Sequence, residues 1–441
     1  MTTNTSFDIT QPLPQGTVLL AASAGTGKTW TISAVCAKAI ATGLVHMENL
    51  LLVTFNRSAA RELRGRVYER LVNTRLLLAG AREPSDPCDW SLIRCGQAGL
   101  TRVESALDNF DRAVITTTHE FASRMLVELG VLSDHDPSSV LMTDLAPLAT
   151  EVSDDHYLAQ YLDCDRPPSV RDKRELSRDV AVKYGEVPIF SKDDAGTPVQ
   201  DVLWALSVRE DVRRRSKSRS VHTFDDLIGD LVKALRDPYR GPLACATLAH
   251  RFGLVMVDEF QDTDPLQWEI LRRAFHGHSN LWLIGDPKQS IYAFRGADIH
   301  AYQDAAQSAS HVLHLDVNYR TDKPIVEAVN TLFSNAQLGH DISMELVTAH
   351  HQESRIKTAA TDGPRYHWSQ PFQIRCLQAP AGAQLNTATS DQFVTEDLVN
   401  QVIMMLEGGT VVQDGDGSRP LRPNDIAILV RTRRRGAELA T

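Results

Sequence analysis

Short apolar runs alternate with stretches of helical periodicity over the first third of the chain and again near its middle. Residues 18–22 read as a buried strand, followed by a glycine-rich turn and a helix over 30–41. Residues 50–54 read as a second buried strand leading into a helix over 58–78, and 113–117, 254–257 and 281–284 read as three more strands. These runs are apolar throughout rather than alternating, so each strand should be covered on both faces. Strands of that kind, separated by helices, predict a parallel sheet in an α/β domain.

The pattern changes between the third strand and residue 254. Residues 133–220 are richer in Asp, Pro, Arg and Ser with weak helical periodicity, which predicts a mostly helical accessory insertion. A new unit begins near residue 315. It should contain a helix over 323–333, a strand over 372–377, a helix near 395–406 and a buried strand over 425–431. Residues 436–441 resemble a helix that stops after one turn, for which truncation is the simplest explanation. The expected division is 1–119 with 221–313 as one discontinuous domain, 120–220 as the insertion, and 314–441 as an incomplete second domain.

Composition narrows the class without deciding it. A chain of 441 residues should hold two or three domains. No apolar run approaches the roughly 18 residues needed to span a bilayer, and residues 1–11 lack a signal-peptide pattern, so a cytoplasmic protein is expected. The six cysteines form no CxxC pair, which argues against zinc or an iron–sulfur cluster. A net charge of −10 disfavours a protein that coats nucleic acid everywhere, but leaves room for a local basic channel. Arg57, Arg61, Arg64, Arg66 and Arg70 could track phosphates, whereas the run over 213–219 reads as a solvated linker.

Four segments carry the chemistry. Ala22-Ser23-Ala24-Gly25-Thr26-Gly27-Lys28-Thr29 lies between a strand and a helix, as a phosphate-cradling loop does. Lys28 would reach the β- and γ-phosphates, and the Thr29 hydroxyl would hold Mg²⁺. The strand over 254–257 ends in Asp258, suited to the Mg²⁺ shell, and Glu259, suited to deprotonating an attacking water. Gln289, in Gly285-Asp286-Pro287-Lys288-Gln289-Ser290, can bond a γ-phosphate and a catalytic water, with Tyr292 and Phe294 just beyond. Asn318-Tyr319-Arg320 opens the later unit and could supply an arginine to the leaving phosphate.

Together these segments resemble the ordered motifs of UvrD/Rep-type superfamily 1 DNA helicases. Asp258-Glu259-Phe260-Gln261-Asp262-Thr263, Leu52-Val53-Thr54-Phe55-Asn56 and Thr116-Thr117-Thr118-His119-Glu120-Phe121 add to the likeness. Pro14-Gln15-Gly16, Glu62-Leu63-Arg64-Gly65-Arg66, Phe294 and Thr223-Phe224-Asp225-Asp226-Leu227 are similar to the RecB-type branch, the exodeoxyribonuclease V beta subunits. The resemblance implies a RecA-like ATP-binding fold with a partial second RecA-like domain, ATP and Mg²⁺ as ligands, and movement along single-stranded DNA from three-prime to five-prime. It implies that Tyr319 stacks on adenine, Gln15 contacts it, and Arg320 is an arginine finger. It also implies that Thr54, Phe55, Arg64, His119, Phe121, Tyr292 and Phe294 meet DNA.

RecB-like proteins also carry a C-terminal nuclease and act with RecC and RecD partners on double-strand breaks. The sequence contains neither the later helicase motifs nor a nuclease. The principal expectation is therefore a RecB-type helicase portion that retains the ATP-binding half. The alternative is an ATP- and DNA-binding module without productive unwinding.

Overall fold

The computed structural model describes residues 5–133, 139–142, 144–182, 199–293, 296–334, 336–339, 342, 344–358, 370–379, 386–415 and 417–440. The chain divides into one unit of Met1–Ala22 with Lys28–His314 and another of Ser23–Gly27 with Leu315–Thr441.

The first unit is built on a seven-stranded sheet. Its strands are β1 (Thr5–Ser6), β2 (Thr17–Ala22), β3 (Leu50–Thr54) and β4 (Val114–Thr117), then β7 (Leu254–Val257), β8 (Asn280–Gly285) and β9 (His311–Leu315). The intervening β5 (Val140–Met142) and β6 (Val221–Thr223) form a separate parallel pair. The main sheet runs β1-β9-β2-β8-β7-β3-β4. Leu19 and Leu20 of β2 face Leu283 and Ile284 of β8 in parallel register, and Leu50–Val53 of β3 lie against Leu254–Val257 of β7. All five residues of β3 and all four of β7 are buried, as their unbroken apolar character requires.

β1 and β9, at one edge of the sheet, have no counterpart in the apolar pattern. β1 has only two residues, and β9 carries histidines at two of its five positions, so neither stands out as an apolar run.

Helices cover both faces. α1 (Lys28–Thr42) packs against α2 (Arg57–Leu78) and α4 (Gly96–Asp108), with the short α3 (Pro87–Leu92) beside α1. Positions 31 to 41 of α1 are all buried, and small residues such as Ala34, Ala37 and Ala39 permit that close packing. The other side of the core joins Leu51, Val53 and Val257 to Phe121, Met125, Phe252 and Phe275. Those side chains come partly from α5 (Thr118–Leu129) and α11 (Pro265–Phe275), and α10 (Gly241–Arg251) and α12 (Ile299–Ser308) add Leu248 and Tyr302 to the same cluster. Side-chain caps start several helices: Asn56 accepts from Ala59 N–H at α2, and Thr223 forms a capping box with Asp226 at α9 (Phe224–Arg236).

The segment between β4 and β7 is largely helical where described, with α6 (Ala146–Tyr161), α7 (Val170–Leu176) and α8 (Val199–Ser218). Its own small core gathers Leu148, Val152, Trp204 and Val208. The arginine run expected to be a linker instead closes α8. Arg215 pairs with Glu151 at 3.0 Å and Asp155 at 2.7 Å, and Arg219 pairs with Glu151 at 2.7 Å. Acidic residues on α6 thus recruit the basic run to a helix face.

In the second unit, β10 (Val317–Asn318) pairs in parallel with β11 (Thr348–Ala349), while α13 spans Lys323–Leu332. An antiparallel ladder joins β12 (Ile356–Lys357), β13 (Val411–Asp414) and β14 (Gly417–Pro420). α14 runs over Thr387–Glu407, longer than its periodicity suggested, and α15 over Arg433–Ala440. The strands expected over 372–377 and 425–431 do not form. Both stretches are largely irregular, and Leu429 is 97% exposed. Apolar character alone does not make a strand, because backbone N–H and C=O groups need a neighbouring ladder. Among the described residues no strand pairs with either stretch.

Candidate active site

Strands β2, β8 and β7 are neighbours in the sheet, and their carboxyl ends carry the loops that sequence singled out. In open α/β sheets ligands bind outside the carboxyl ends of strands, where the strand order reverses. β2 leads into the Gly-rich loop. Gly25 and Gly27 both lie at positive φ, +83° and +89°, which only glycine adopts without strain. Thr26 folds the loop on itself, its N–H and hydroxyl donating to Ser23 O at 3.2 and 2.8 Å.

Within the second unit, Asn318 Nδ2 donates to Ala24 O at 3.0 Å and Tyr319 N–H donates to Gly25 O at 2.8 Å. A Cβ on residue 25 would meet Arg320 Cβ and Asn318 Oδ1, both at 2.8 Å. Backbone angle and close approach therefore both demand glycine there. Tyr319 is half exposed, with its ring 4.9 Å from that of His350. Arg320 is exposed, and so is Gln15 in the first unit, whose Nε2 donates to Leu13 O at 3.4 Å.

At the end of β7, Glu259 is one of two described non-glycine residues at positive φ, at +52°. Such a conformation costs of order 1–3 kcal/mol and persists only where surrounding contacts impose it. Those contacts are visible. Lys28 Nζ pairs with Glu259 Oε2 at 2.8 Å, and Gln261 Nε2 donates to the same oxygen at 2.8 Å. Asp258 Oδ1 accepts from Glu259 N–H at 2.9 Å.

Burial, and then the neighbouring Glu259 charge, push the Asp258 carboxyl up to about 6, against the opposing pull of Lys28. The same two causes raise Asp262 to about 6. An Asp258→Asn variant should therefore melt higher than the parent at neutral pH. The buried carboxylate costs the folded state more as pH rises from 3.8 to about 6, and an amide does not bear that cost. Melting curves across this range should show the gap opening with pH; a gap that stays constant would contradict this account.

β8 ends at Gly285, and the buried Asp286 follows. Its carboxylate accepts from Lys288 Nζ at 2.9 Å and Gln289 Nε2 at 2.8 Å. The two predicted phosphate contacts, Lys28 and Gln289, are thus each held by a carboxylate.

The residues present fit a divalent cation. Asp262 Oδ1 is buried with no hydrogen-bond partner, and Asp258, Glu259 and Asp262 together outnumber the single Lys28 ammonium. Among the described residues no group of three or more His, Cys, Asp or Glu could hold a metal by itself. That pattern suits Mg²⁺, which favours one or two protein ligands completed by phosphate and water.

The residues expected to meet DNA separate into two classes. Phe55 and Tyr292 stack at 5.4 Å with 24° between ring planes, and His119 sits edge-on to Phe224 at 5.9 Å. An open cavity of about 480 Å³ is lined in part by His119 and Phe224, together with Arg57 and Arg124; Phe55 and Tyr292 are not among its lining residues. Two other residues are misplaced for contact. Phe121 is a core residue, 2% exposed, packed among Phe252 and Phe275 because the inward face of α5 points at the sheet. Thr54 is also buried, its hydroxyl donating to Asn56 O at 3.0 Å.

Arg64 donates to Ala113 O at 3.2 Å and lies over the Phe110 ring. Arg70 is buried in ion pairs with Asp86 and Asp89, which removes it from any phosphate track. Phe294 lies outside the described residues.

Sequence reasoning assigned no role to Gln261 or Lys38. Lys38, buried on α1, donates to Ile9 O and Gln11 O at 2.6 and 2.7 Å and so ties down the segment before Gln15. A lysine inside an otherwise apolar helix stretch is the signal that could have exposed it. No helix among the described residues is long and apolar enough to cross a membrane.

Comparison with known proteins agrees with this geometry. Residues 3–310 match the model of the UvrD/REP helicase N-terminal domain. The chain is 36% identical to the RecBCD enzyme subunit RecB of Mycobacterium tuberculosis (strain CDC 1551 / Oshkosh), over 96% of this chain and 39% of that protein. It is 34% identical to the same subunit of Escherichia coli (strain K12) over 53% of this chain and 20% of that protein. It is 27% identical to the ATP-dependent DNA helicase UvrD1 of Mycobacterium bovis over 72% and 37% respectively. The chain thus spans about two fifths of the length of the mycobacterial RecB subunit it matches. With the sheet order, the Gly-rich loop and the acidic strand end all in place, the chain belongs to the UvrD/REP helicase family through that family's N-terminal domain.

Proposed function

We propose that this chain supplies the ATP-hydrolysing half of a RecB-type motor that moves along single-stranded DNA. The observation that carries the reading is the grouping of Lys28, Glu259 and the Asp286–Gln289 turn at the carboxyl ends of three adjacent strands. Lys28 would bind the β- and γ-phosphates. Thr29 and Asp258 would hold Mg²⁺, which when bound neutralises charge on the phosphate oxygens. Glu259 orients a water and accepts its proton as the water oxygen bonds to the γ-phosphorus. The bond from that phosphorus to the β–γ bridging oxygen breaks, its electron pair leaves with ADP, and inorganic phosphate is the second product.

Tyr319 would stack on adenine with Gln15 beside it, and Arg320 would stabilise the transferring phosphoryl group. The stacked Phe55–Tyr292 pair joins the aromatic just past β3 to the one beyond Gln289, which supports a route from nucleotide to bases. The relatives' name, RecBCD enzyme subunit RecB, supports RecC- and RecD-like partners; double-strand-break processing, a cytoplasmic setting and three-prime to five-prime polarity are proposed on the motif resemblance alone.

The test is DNA-stimulated ATP turnover by this chain beside its Lys28→Ala variant. Single-stranded DNA should raise the rate, and the substitution should lower it by roughly 100-fold or more, since it removes a charge aimed at the transferring phosphoryl group. Tight ATP and DNA binding without turnover would favour the passive-module reading. No binding of single-stranded DNA at low salt, where phosphate contacts are strongest, would refute the motor.

A further inference from the structure

One buried amide connects the acidic strand end to the turn that bears Gln289. Gln261 is 2% exposed and sits in the 3-10 turn Phe260–Asp262 directly after Glu259. Its Nε2 donates to Glu259 Oε2 at 2.8 Å, and its Oε1 accepts from Asp286 N–H at 2.9 Å. Its backbone carbonyl accepts from Ser290 Oγ at 3.2 Å.

The orientation of the amide follows from its neighbours. Asp286 N–H can only donate, so it requires the oxygen, and the NH₂ group is left facing a carboxylate that can only accept when ionised. A Cβ at Gly285 would stand 2.6 Å from Gln261 Oε1, so the strand end is shaped around this side chain. Asp286 in turn holds Gln289 and Lys288 through its carboxylate. The result is an unbroken chain of contacts from Lys28 through Glu259, Gln261 and Asp286 to Gln289.

We propose that Gln261 is the positioning residue that sets Glu259 and Gln289 relative to each other during ATP hydrolysis. The inference rests on the ATP-hydrolysis reading above and deepens it. Lys28 cannot serve as the lasting partner of Glu259, because that reading directs its ammonium to the phosphates. Gln261 is then the side chain that keeps the carboxylate aimed while its backbone is held at φ +52°. Its other end ties that aim to the turn carrying Gln289, so the two groups that meet the water are registered through one rigid amide. Misplacement of a reacting group by about 1 Å costs on the order of 100-fold in rate.

Two substitutions separate this role from simple turn closure. Gln261→Glu keeps an acceptor for Asp286 N–H but turns a carboxylate toward Glu259. Gln261→Met keeps the volume and loses both bonds. For the full chain at neutral pH, both should lower kcat for ATP by about 100-fold. The dissociation constant of a fluorescent ATP analogue should change less than about twofold, because neither bond is expected to touch nucleotide. In a Glu259→Gln background, adding Gln261→Glu should lower kcat no further, since residues acting as one unit are not additive.

A residue that merely closed the turn at Asp286 would tolerate glutamate, so near-parental turnover by Gln261→Glu would overturn the proposal. Equal losses in binding and kcat, with a lowered melting temperature, would overturn it as well by showing collapse of the site. Failure of the parent chain to hydrolyse ATP is a different outcome. It removes the hydrolysis reading itself, and this proposal with it.

Discussion

Replacing Glu259 by glutamine is expected to leave ATP binding intact while slowing hydrolysis roughly 100- to 10,000-fold, the usual contribution of a positioned general base. The change is close to isosteric. The new side chain can still accept from Gln261 Nε2 and carries the same backbone cost at positive φ, so the turn should hold. What disappears is the basic oxygen that takes the proton from water. The Lys28 ion pair weakens too, and because it competes with phosphate for the same ammonium, ATP affinity should stay level or rise. Equilibrium titration with a fluorescent ATP analogue and single-turnover hydrolysis report the two effects separately. If binding and hydrolysis fell together, Glu259 would be a structural residue of the loop and not the base.

Substituting Arg70 by alanine should damage stability strongly although it lies away from the site, costing about 3–5 kcal/mol as expected when one partner of a buried ion pair is removed. Arg70 reaches Asp86 at 2.5 Å and Asp89 at 3.1 Å, and the Asp89 side chain is only 1% exposed. Among the described residues, Arg82, at 2.9 Å, would remain the cation paired with Asp89. The Arg70 guanidinium also lies 5.6 Å from the ring centroid of Trp30, the residue after Thr29, so the network packs α2 and α3 against the start of α1. Arg66→Ala is the control. Its ion pair to Glu69 is long, 3.8 Å, and exposed, so a change of less than about 0.5 kcal/mol is expected. Urea unfolding of both variants checks the contrast, and similar midpoints would show that the buried network contributes nothing special.

The two arginines stand four residues apart on one helix and look alike in the sequence. Charge patterning grouped them as candidates to follow DNA phosphates. Only the position of α3, which brings Asp86 and Asp89 against one of them, separates a buried anchor from a solvated side chain. The run over 213–219 looks like a linker in the sequence for a related reason: its partners on α6 lie some sixty residues earlier in the chain.

Much of the architecture is legible in the sequence. Buried strands announce themselves by unbroken apolar runs, and β3 and β7 fall at the positions those runs occupy. A glycine-rich loop before a helix and two acids after a strand are local patterns, set by backbone sterics and by the chemistry of phosphate and water. Residue order alone therefore determined the sheet class, and it marked the glycine-rich loop with Lys28, Asp258 and Glu259 as the set proposed here for ATP chemistry.

Tertiary structure decided what depends on neighbours remote in sequence. It put Phe121 and Thr54 inside, since a helix face or strand end is buried by whatever packs on it. It left residues 425–431 irregular, because an apolar run becomes a strand only beside a ladder partner. It also joined Glu259 to Asp286 through Gln261, a link of two hydrogen bonds across 27 residues of chain that no spacing rule encodes.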